Sequence, residues 1–595
     1  MKSSDLFLRC LEAEGVQYIF GVPGEENADV MLSLRDSSIR FVLTHHEQGA
    51  AFMADVWGRL TGHPGVCLST LGPGATNLVT GVANANMDHS PVVAITGQGA
   101  TTRLHKESHQ NMDVVQMFHP ITKWASSIRD ERVIPEIVRK AFKTAIQEKP
   151  GATHIELPED IAQHEVHESP ITPPVKVRRP IADERSIEQA LELIARAERP
   201  VLLVGAGCAR TRVTPQLARL VDATGIYAAM TFMAKGALSD RHPRSLYAAG
   251  LGSRDYVTEA FESADLVIAV GYDMVEWHPS RWNVGRTKRV LHIDFEPAEV
   301  DANYQPDVEV VGDVAAALWA INERLTDAHR FDDVAIWAQM REKLTHEIND
   351  EHAEDESYPV KPQRILTDLR AELADDDILI SDVGAHKMWV ARQYPTYTPN
   401  SCLITNGFCS MGMSVPGSIA AKLVHPERRV VALCGDGAFL MNIQELATGV
   451  RLGVNPVMLV WEDGGYGLIT WKQDHRVRPP LRDRLRQPRL RRGCGGVRLP
   501  RRAGRGHERA AAGAQAGVRR ARPPVRRRGA RRLLREHEAD APAGPAAGSL
   551  TARTPPTAAG ERAAIRPGRA RCGSTPRSRG SRARSRGCTA RRCRA

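Results

Sequence analysis

Short runs of apolar strand formers recur along this chain, and several stop at a glycine or an aspartate. "PVVAITG", "PVLLVGAG", "ADLVIAVGYD" and "RVVALCGDGAF" are of this kind, and helix-patterned stretches lie between them. A strand that is apolar on both faces needs cover on both, and the intervening helices supply it. This alternation predicts an α/β fold built on parallel sheets. A chain of 595 residues is also too long for a single core.

Two breaks divide it. "HESPITPPVKVRRPIADE" (167–184) is rich in proline and charge, and "HEINDEHAEDESYPVKPQ" (346–363) is acidic and ends in prolines. The expected organisation is three doubly wound parallel-sheet domains, 1–166, 185–340 and 362–474, the last interrupted by a segment of another character.

That segment is 475–595. It holds 35 Arg, no Lys and 6 acidic residues, and none of the chain's Phe, Trp or Tyr. The first 474 residues hold 45 basic and 64 acidic residues, so the overall charge of +10 averages two unlike parts. An arginine-rich tail suggests a nucleic-acid arm, because arginines neutralise phosphates. It equally suits a disordered extension with too little apolar surface to offset its ordering entropy. The preferred reading is a frameshift: Arg without Lys, beside abundant Ala, Gly and Pro, is what a GC-rich gene yields out of register. The change also falls in mid-domain, directly after "LITWKQD", and nucleic acid is not the expected partner.

The ten cysteines are scattered, with no C-x-x-C pair. Free thiols in a reducing cytoplasm are expected, rather than a disulfide scaffold or a zinc site. No apolar stretch is long enough to span a membrane.

The sharpest local signal is the carboxylate of "GDGAF". Asp436 ends an apolar strand between Gly435 and Gly437, with Ala438 next, and an amphipathic helix through Phe439, Ile443, Leu446, Ala447 and Val450 is expected behind it. The following strand, "PVMLVWED", ends at Asp463. A right-handed crossover would bring both carboxylates to one rim of the sheet. Such a pair suits Mg²⁺, which completes its octahedron with phosphate oxygens and water. It could also merely punctuate two strand ends. Glu47, in "LTHHEQGAAFMA", follows a strand and starts a helix, where an acid is also an ordinary helix-start residue. "GVPGEEN" (21–27), with Pro23, and "STLGPGATN" (69–77) are Gly-Pro turns at strand ends. In the middle segment "LVGAGCAR" is a weak nucleotide-binding signal, since position 210 is Arg where G-x-G-x-x-G needs Gly.

In their order, "GVPGEEN", "THHEQGAAFMADVWGRLTG", "LGPGATNL", "GDGAFLMNIQEL" and "WEDGGYG" resemble the thiamine-diphosphate-dependent enzymes of the acetolactate synthase group. "HQNMDVVQMFHPITKW" (109–124) and the region 271–313 resemble the catabolic, FAD-independent type, so FAD is not expected. The resemblance implies thiamine diphosphate and Mg²⁺ as cofactors. Asp436, Asp463 and the carbonyl of Gly465 would hold the metal. Gly384, Ala385 and His386 in "SDVGAHK", together with Gly435 to Ala438, would face the diphosphate. Met411 would prop the cofactor, and Pro23 would also bind it. Glu47 would bond the pyrimidine ring and Gln110 would line the reaction cavity. The implied reaction is decarboxylation of pyruvate and carboligation to a second pyruvate, giving 2-acetolactate and CO₂. Another 2-oxoacid decarboxylase or carboligase, of the sulfoacetaldehyde acetyltransferase or glyoxylate carboligase type, is the alternative. In this family the two half-sites come from different subunits, which implies a homodimer or homotetramer.

Overall fold

A computed structural model of the chain describes residues 1–173, 179–210, 212–252, 255–331, 334–349 and 353–476. The three readings of the Arg-rich segment concern residues that, from 477 on, lie outside those described, as does the centre of the 167–184 break.

Every strand pair is parallel, in three sheets. The first is built from β1 (Tyr18–Gly21), β2 (Arg40–Leu43), β3 (Gly65–Ser69), β4 (Val92–Gln98), β5 (Trp124–Ser127) and β6 (Ala152–Pro158), in the order β2-β1-β3-β4-β6-β5. The second contains β7 (Pro200–Val204), β8 (Tyr227–Met230), β9 (Ser245–Ala248), β10 (Leu266–Val270), β11 (Arg289–Asp294) and β12 (Val308–Val311), in the order β12-β11-β10-β7-β8-β9. The third has β13 (Ile378–Ser381), β14 (Cys402–Ile404), β15 (Val430–Gly435) and β16 (Val457–Trp461), in the order β14-β13-β15-β16. The α/β reading therefore holds. Central strands such as β3, β7 and β10 are buried along their whole length, as doubly covered strands must be.

The winding reverses between β1 and β3 in the first sheet, which turns back once more at its β5 edge, between β7 and β10 in the second, and between β13 and β15 in the third. Open α/β sheets gather ligands at the carboxyl ends of the strands flanking such a reversal.

The first and third units share a core. Helix Glu47–Thr61 lies against helix Ser414–Val424, and Phe52, Met53 and Val56 enter one apolar cluster with Ile380, Met413 and Ile419. Small residues set the spacing: a Cβ on Gly417 would lie 2.7 Å from Val56 Cγ2. Beside this seam Arg59 bridges Asp55 at 2.7 Å and Asp88 at 2.6 Å, with both carboxylates inaccessible to solvent. Burial alone would weaken the guanidinium's hold on its proton, but the two carboxylates outweigh it and keep Arg59 charged. Asp88 also accepts from the Gly407 N–H at 2.7 Å, which ties the ion pairs to the third unit.

One expectation is corrected. The single amphipathic helix after Asp436 is two short helices, Asp436–Met441 and Glu445–Leu452. Asn442 breaks it at φ −134°, because its side chain donates to the Gly412 carbonyl at 2.9 Å and to Gln48 Oε1 at 3.3 Å.

The middle unit explains its own glycines. A Cβ on Gly205 would lie 2.3 Å from the Gly271 carbonyl oxygen, so the G-x-G turn is small to let two strand ends meet. The carboxylate of Glu276 folds into the same reversal and accepts from the Ala206 N–H at 2.9 Å. Burial first, and then the charge of Asp273, push Glu276 up to about 8. A raised carboxyl contributes stability that is fully present below its unfolded value and is lost as pH rises through about 8. Between pH 6 and 9 the wild-type chain should therefore lose on the order of 2 kcal/mol more than Glu276→Gln, as read by urea unfolding. Equal losses would show that Glu276 does not titrate in the folded state.

Candidate active site

The third sheet places its chemistry at its reversal. β13 runs into Asp382 and the Gly384–Ala385–His386 turn, which starts helix Ala385–Gln393. β15 runs into Gly435 and Asp436. The two turns touch: a Cβ on Gly384 would lie 2.8 Å from the His386 ring, and one on Gly435 would lie 3.3 Å from His386 Nδ1. His386 is buried, and its Nε2 has no partner among the described residues. Burial pushes the imidazole down, against the pull of Asp382, so at neutral pH it is uncharged.

Asp436 is 1% exposed. Its Oδ1 accepts from the Gly437 N–H at 2.8 Å and its Oδ2 from the Gly464 N–H at 3.0 Å. Burial pushes this carboxyl up in spite of both bonds, and the charges of Asp463 and Glu462 add to the effect. β15 and β16 pair with Gly435 opposite Trp461, so Asp463 emerges beside Asp436, exposed, at the same rim. Gly465 donates to Asp463 Oδ1 at 3.2 Å, within the same turn. Among the described residues no three His, Cys, Asp or Glu side chains converge as a metal cage. Two carboxylates and a backbone turn leave most of an octahedron to other oxygens, which is the donor set of Mg²⁺ bound through a phosphate. The unpaired His386 nitrogen and the glycine-lined turns fit that phosphate.

A clamp that the sequence reading passed over holds the loop above this rim. Asp382, fully buried, accepts from the Gly412 N–H at 2.8 Å, the Ser414 N–H at 2.9 Å and the Ser414 hydroxyl at 2.7 Å. Met411 is thereby set against the cluster of Val415, Ala438 and Phe439. Asp382 stood within "SDVGAHK", but nothing in its spacing marks a loop thirty residues on.

The first sheet brings the other candidates to its own rim. Glu47 opens helix Glu47–Thr61, after a three-residue connection from β2, and His46 caps that helix by accepting from the Gln48 N–H at 3.0 Å. Glu47 is nearly buried, and Asn77 Nδ2 donates to its Oε2 at 2.9 Å. Asn77 lies on helix Pro73–Met87, which follows the Gly72 turn, where φ is +48°. A Cβ on Gly72 would lie 2.6 Å from the Gln110 carbonyl oxygen, so Gln110, exposed and itself at φ +56°, belongs to this rim. Pro23 stands exposed in the loop after β1.

The two halves meet within the chain next to Glu47. Glu445, wholly buried, accepts from the N–H groups of His45 and His46, both at 3.0 Å, and from the Thr448 hydroxyl at 2.7 Å. Burial pushes its carboxyl up. Among the described residues, however, no hydrogen bond joins Glu47 to Asp436, Asp463 or His386.

Family models for the thiamine pyrophosphate (thiamine diphosphate) enzymes match this architecture. The N-terminal TPP binding domain matches residues 1–117, the central domain 187–321 and the C-terminal TPP binding domain 382–485. Fold and site thus define a thiamine-diphosphate-dependent enzyme of transferase type. Among its relatives, the acetolactate synthase of Bacillus subtilis (strain 168) is 33% identical over 480 residues, 79% of this chain and 83% of that protein. The catabolic acetolactate synthase of Raoultella terrigena is 35% identical over 471 residues, 78% and 84% of the two chains. The chloroplastic acetolactate synthase 1 of Nicotiana tabacum is 36% identical over 488 residues, 78% and 72% of the two chains. The chain belongs to the acetolactate synthase family. Identity does not divide the catabolic from the chloroplastic relatives.

Proposed function

We propose that this protein decarboxylates pyruvate and joins the remaining two-carbon unit to a second pyruvate, giving 2-acetolactate and CO₂. The observation that carries the reading is the likeness to acetolactate synthases, which takes in about four fifths of the chain. Thiamine diphosphate, when bound, supplies the carbanion chemistry that pyruvate lacks.

The chain's residues would divide the remaining work. Asp436, Asp463 and the Gly465 carbonyl would hold Mg²⁺ and, through it, the diphosphate. Gly384, Ala385 and His386 would face the phosphate oxygens beside Gly435, Gly437 and Ala438. Met411 would set the cofactor's shape, with Pro23 against its other end. Glu47 would hold a proton at the pyrimidine ring, oriented by Asn77. Gln110 would line the substrate side. As the family resemblance implies, a second copy would complete each site, as a homodimer or homotetramer. FAD is not expected in this scheme, as the resemblance of residues 109–124 and 271–313 to the FAD-independent type implies. The catabolic type is the subtype this favours.

Residues 475–595 are proposed to be an out-of-frame translation. Resequencing the codons for 465–485 tests this, and a confirmed frame would refute it. The reaction itself is tested with ¹³C-pyruvate, cofactor and Mg²⁺, followed by NMR. Acetolactate is expected as the main product. Acetaldehyde as the product from pyruvate, or acetyl phosphate and sulfite when sulfoacetaldehyde and phosphate replace pyruvate, would place the protein with the other decarboxylases and carboligases instead.

A further inference from the structure

Met411 is half-buried, and the backbone on both sides of it is held by buried side chains. The Ser410 N–H donates to Asn84 Oδ1 at 3.2 Å and the Gly412 N–H to Asp382 Oδ1 at 2.8 Å. The Gly412 carbonyl accepts from Asn442 Nδ2 at 2.9 Å. Asn84, Asp382 and Asn442 are all inaccessible to solvent. Gly412 sits at φ +93°, and a Cβ there would lie 2.7 Å from Asn442 Nδ2, so only glycine lets the amide come this close.

Asn442 is the unexpected member of this set. The apolar pattern after Asp436 runs on past it, yet the helix stops at Met441 and a second one begins at Glu445. The freed amide is fixed in one orientation: Gln444 Nε2 donates to its Oδ1 at 3.1 Å, which leaves Nδ2 for Gly412 and, at 3.3 Å, for Gln48 Oε1. We infer that Asn442 is a positioning residue, which fixes Met411 at the cofactor site by holding the Gly412 carbonyl. The inference rests on the proposed function.

The geometry explains why two jaws are needed. Asp382 follows β13 and Asn442 lies beyond β15, the two strands that flank the reversal of the third sheet. Held from both, Gly412 keeps Met411 in register with the rim that carries Asp436. Removing the amide frees the Met411 loop on one side without touching Asp436, Asp463 or His386. Cofactor affinity and cofactor reactivity should then part, because a reacting group displaced by about 1 Å can cost about 100-fold in rate.

The test compares Asn442→Ala with the unsubstituted full chain. Without cofactor, the 407–414 segment should exchange its amide hydrogens at least about fivefold faster in the variant, as read by mass spectrometry. With thiamine diphosphate and Mg²⁺, calorimetric affinity should stay within about threefold, while replacement of the cofactor's thiazolium C2 proton by deuterium, followed by NMR, should slow by about 10- to 100-fold. In a Met411→Ala background the same substitution should add less than about twofold, since it acts through that side chain. Asn442→Ser, whose hydroxyl is a shorter arm, should behave alike and is read instead if the alanine variant no longer unfolds cooperatively. Unchanged C2 exchange, or an undiminished further fall in the Met411→Ala background, overturns the proposal alone. Failure of the unsubstituted protein to bind thiamine diphosphate overturns the proposed function with it.

Discussion

Glu47→Gln is expected to lower turnover of pyruvate by about 10²- to 10⁴-fold, the usual worth of a positioned proton donor or acceptor. The substitution keeps the size of the side chain. It also keeps a carbonyl oxygen for Asn77 Nδ2, which now donates at 2.9 Å. The helix start is held independently by His46 and Glu445, so folding should not suffer. What is lost is the ability to give up and regain a proton at one atom. Parallel measurements of kcat and of the unfolding midpoint separate these effects: a large fall in the first with an unmoved second is expected. Turnover within threefold of wild type would remove Glu47 from the chemistry.

The largest effect on stability should come from Arg59→Met. Methionine replaces most of the apolar stem but leaves Asp55 and Asp88 buried without their cation. Breaking a buried pair in this way costs roughly 3–5 kcal/mol, against a typical total of about 5–15 kcal/mol. The damage should also spread across the seam, since Asp88 holds Gly407 and Asn84 bonds both Asp55 and the Thr405 hydroxyl. Urea denaturation should show a large fall in midpoint. A loss under about 1 kcal/mol would mean that water reaches the carboxylates and replaces the guanidinium.

Some of this site could be read from the sequence because it depends on local order. A strand, a short connection and a second parallel strand leave little freedom in where Asp436 and Asp463 emerge, and the β15–β16 register puts them side by side. The start of the helix at Glu47 was legible for the same reason, since an apolar strand pattern gives way there to a helical one. What escaped notice depends on long-range contacts. Glu445 meets His45 across 400 residues, and Asp382 clamps a loop reached only after another strand. β1, β5 and β14, of three or four residues each, are too short for an alternation to stand out. The broken helix at Asn442 is a tertiary override: one amide side chain finds better partners in Gly412 and Gln48 than its helix offers. The family match runs to residue 485, past the change of composition at 475.

The central claim is that thiamine diphosphate is held through Mg²⁺ at the carboxyl rim of the third sheet. Calorimetric titration of the whole 595-residue protein with thiamine diphosphate, in Mg²⁺ and again after EDTA, tests it without requiring turnover. The account predicts saturable binding that weakens by about 100-fold or more when the metal is removed. Equal affinity in EDTA, or no saturable binding in either condition, would contradict it.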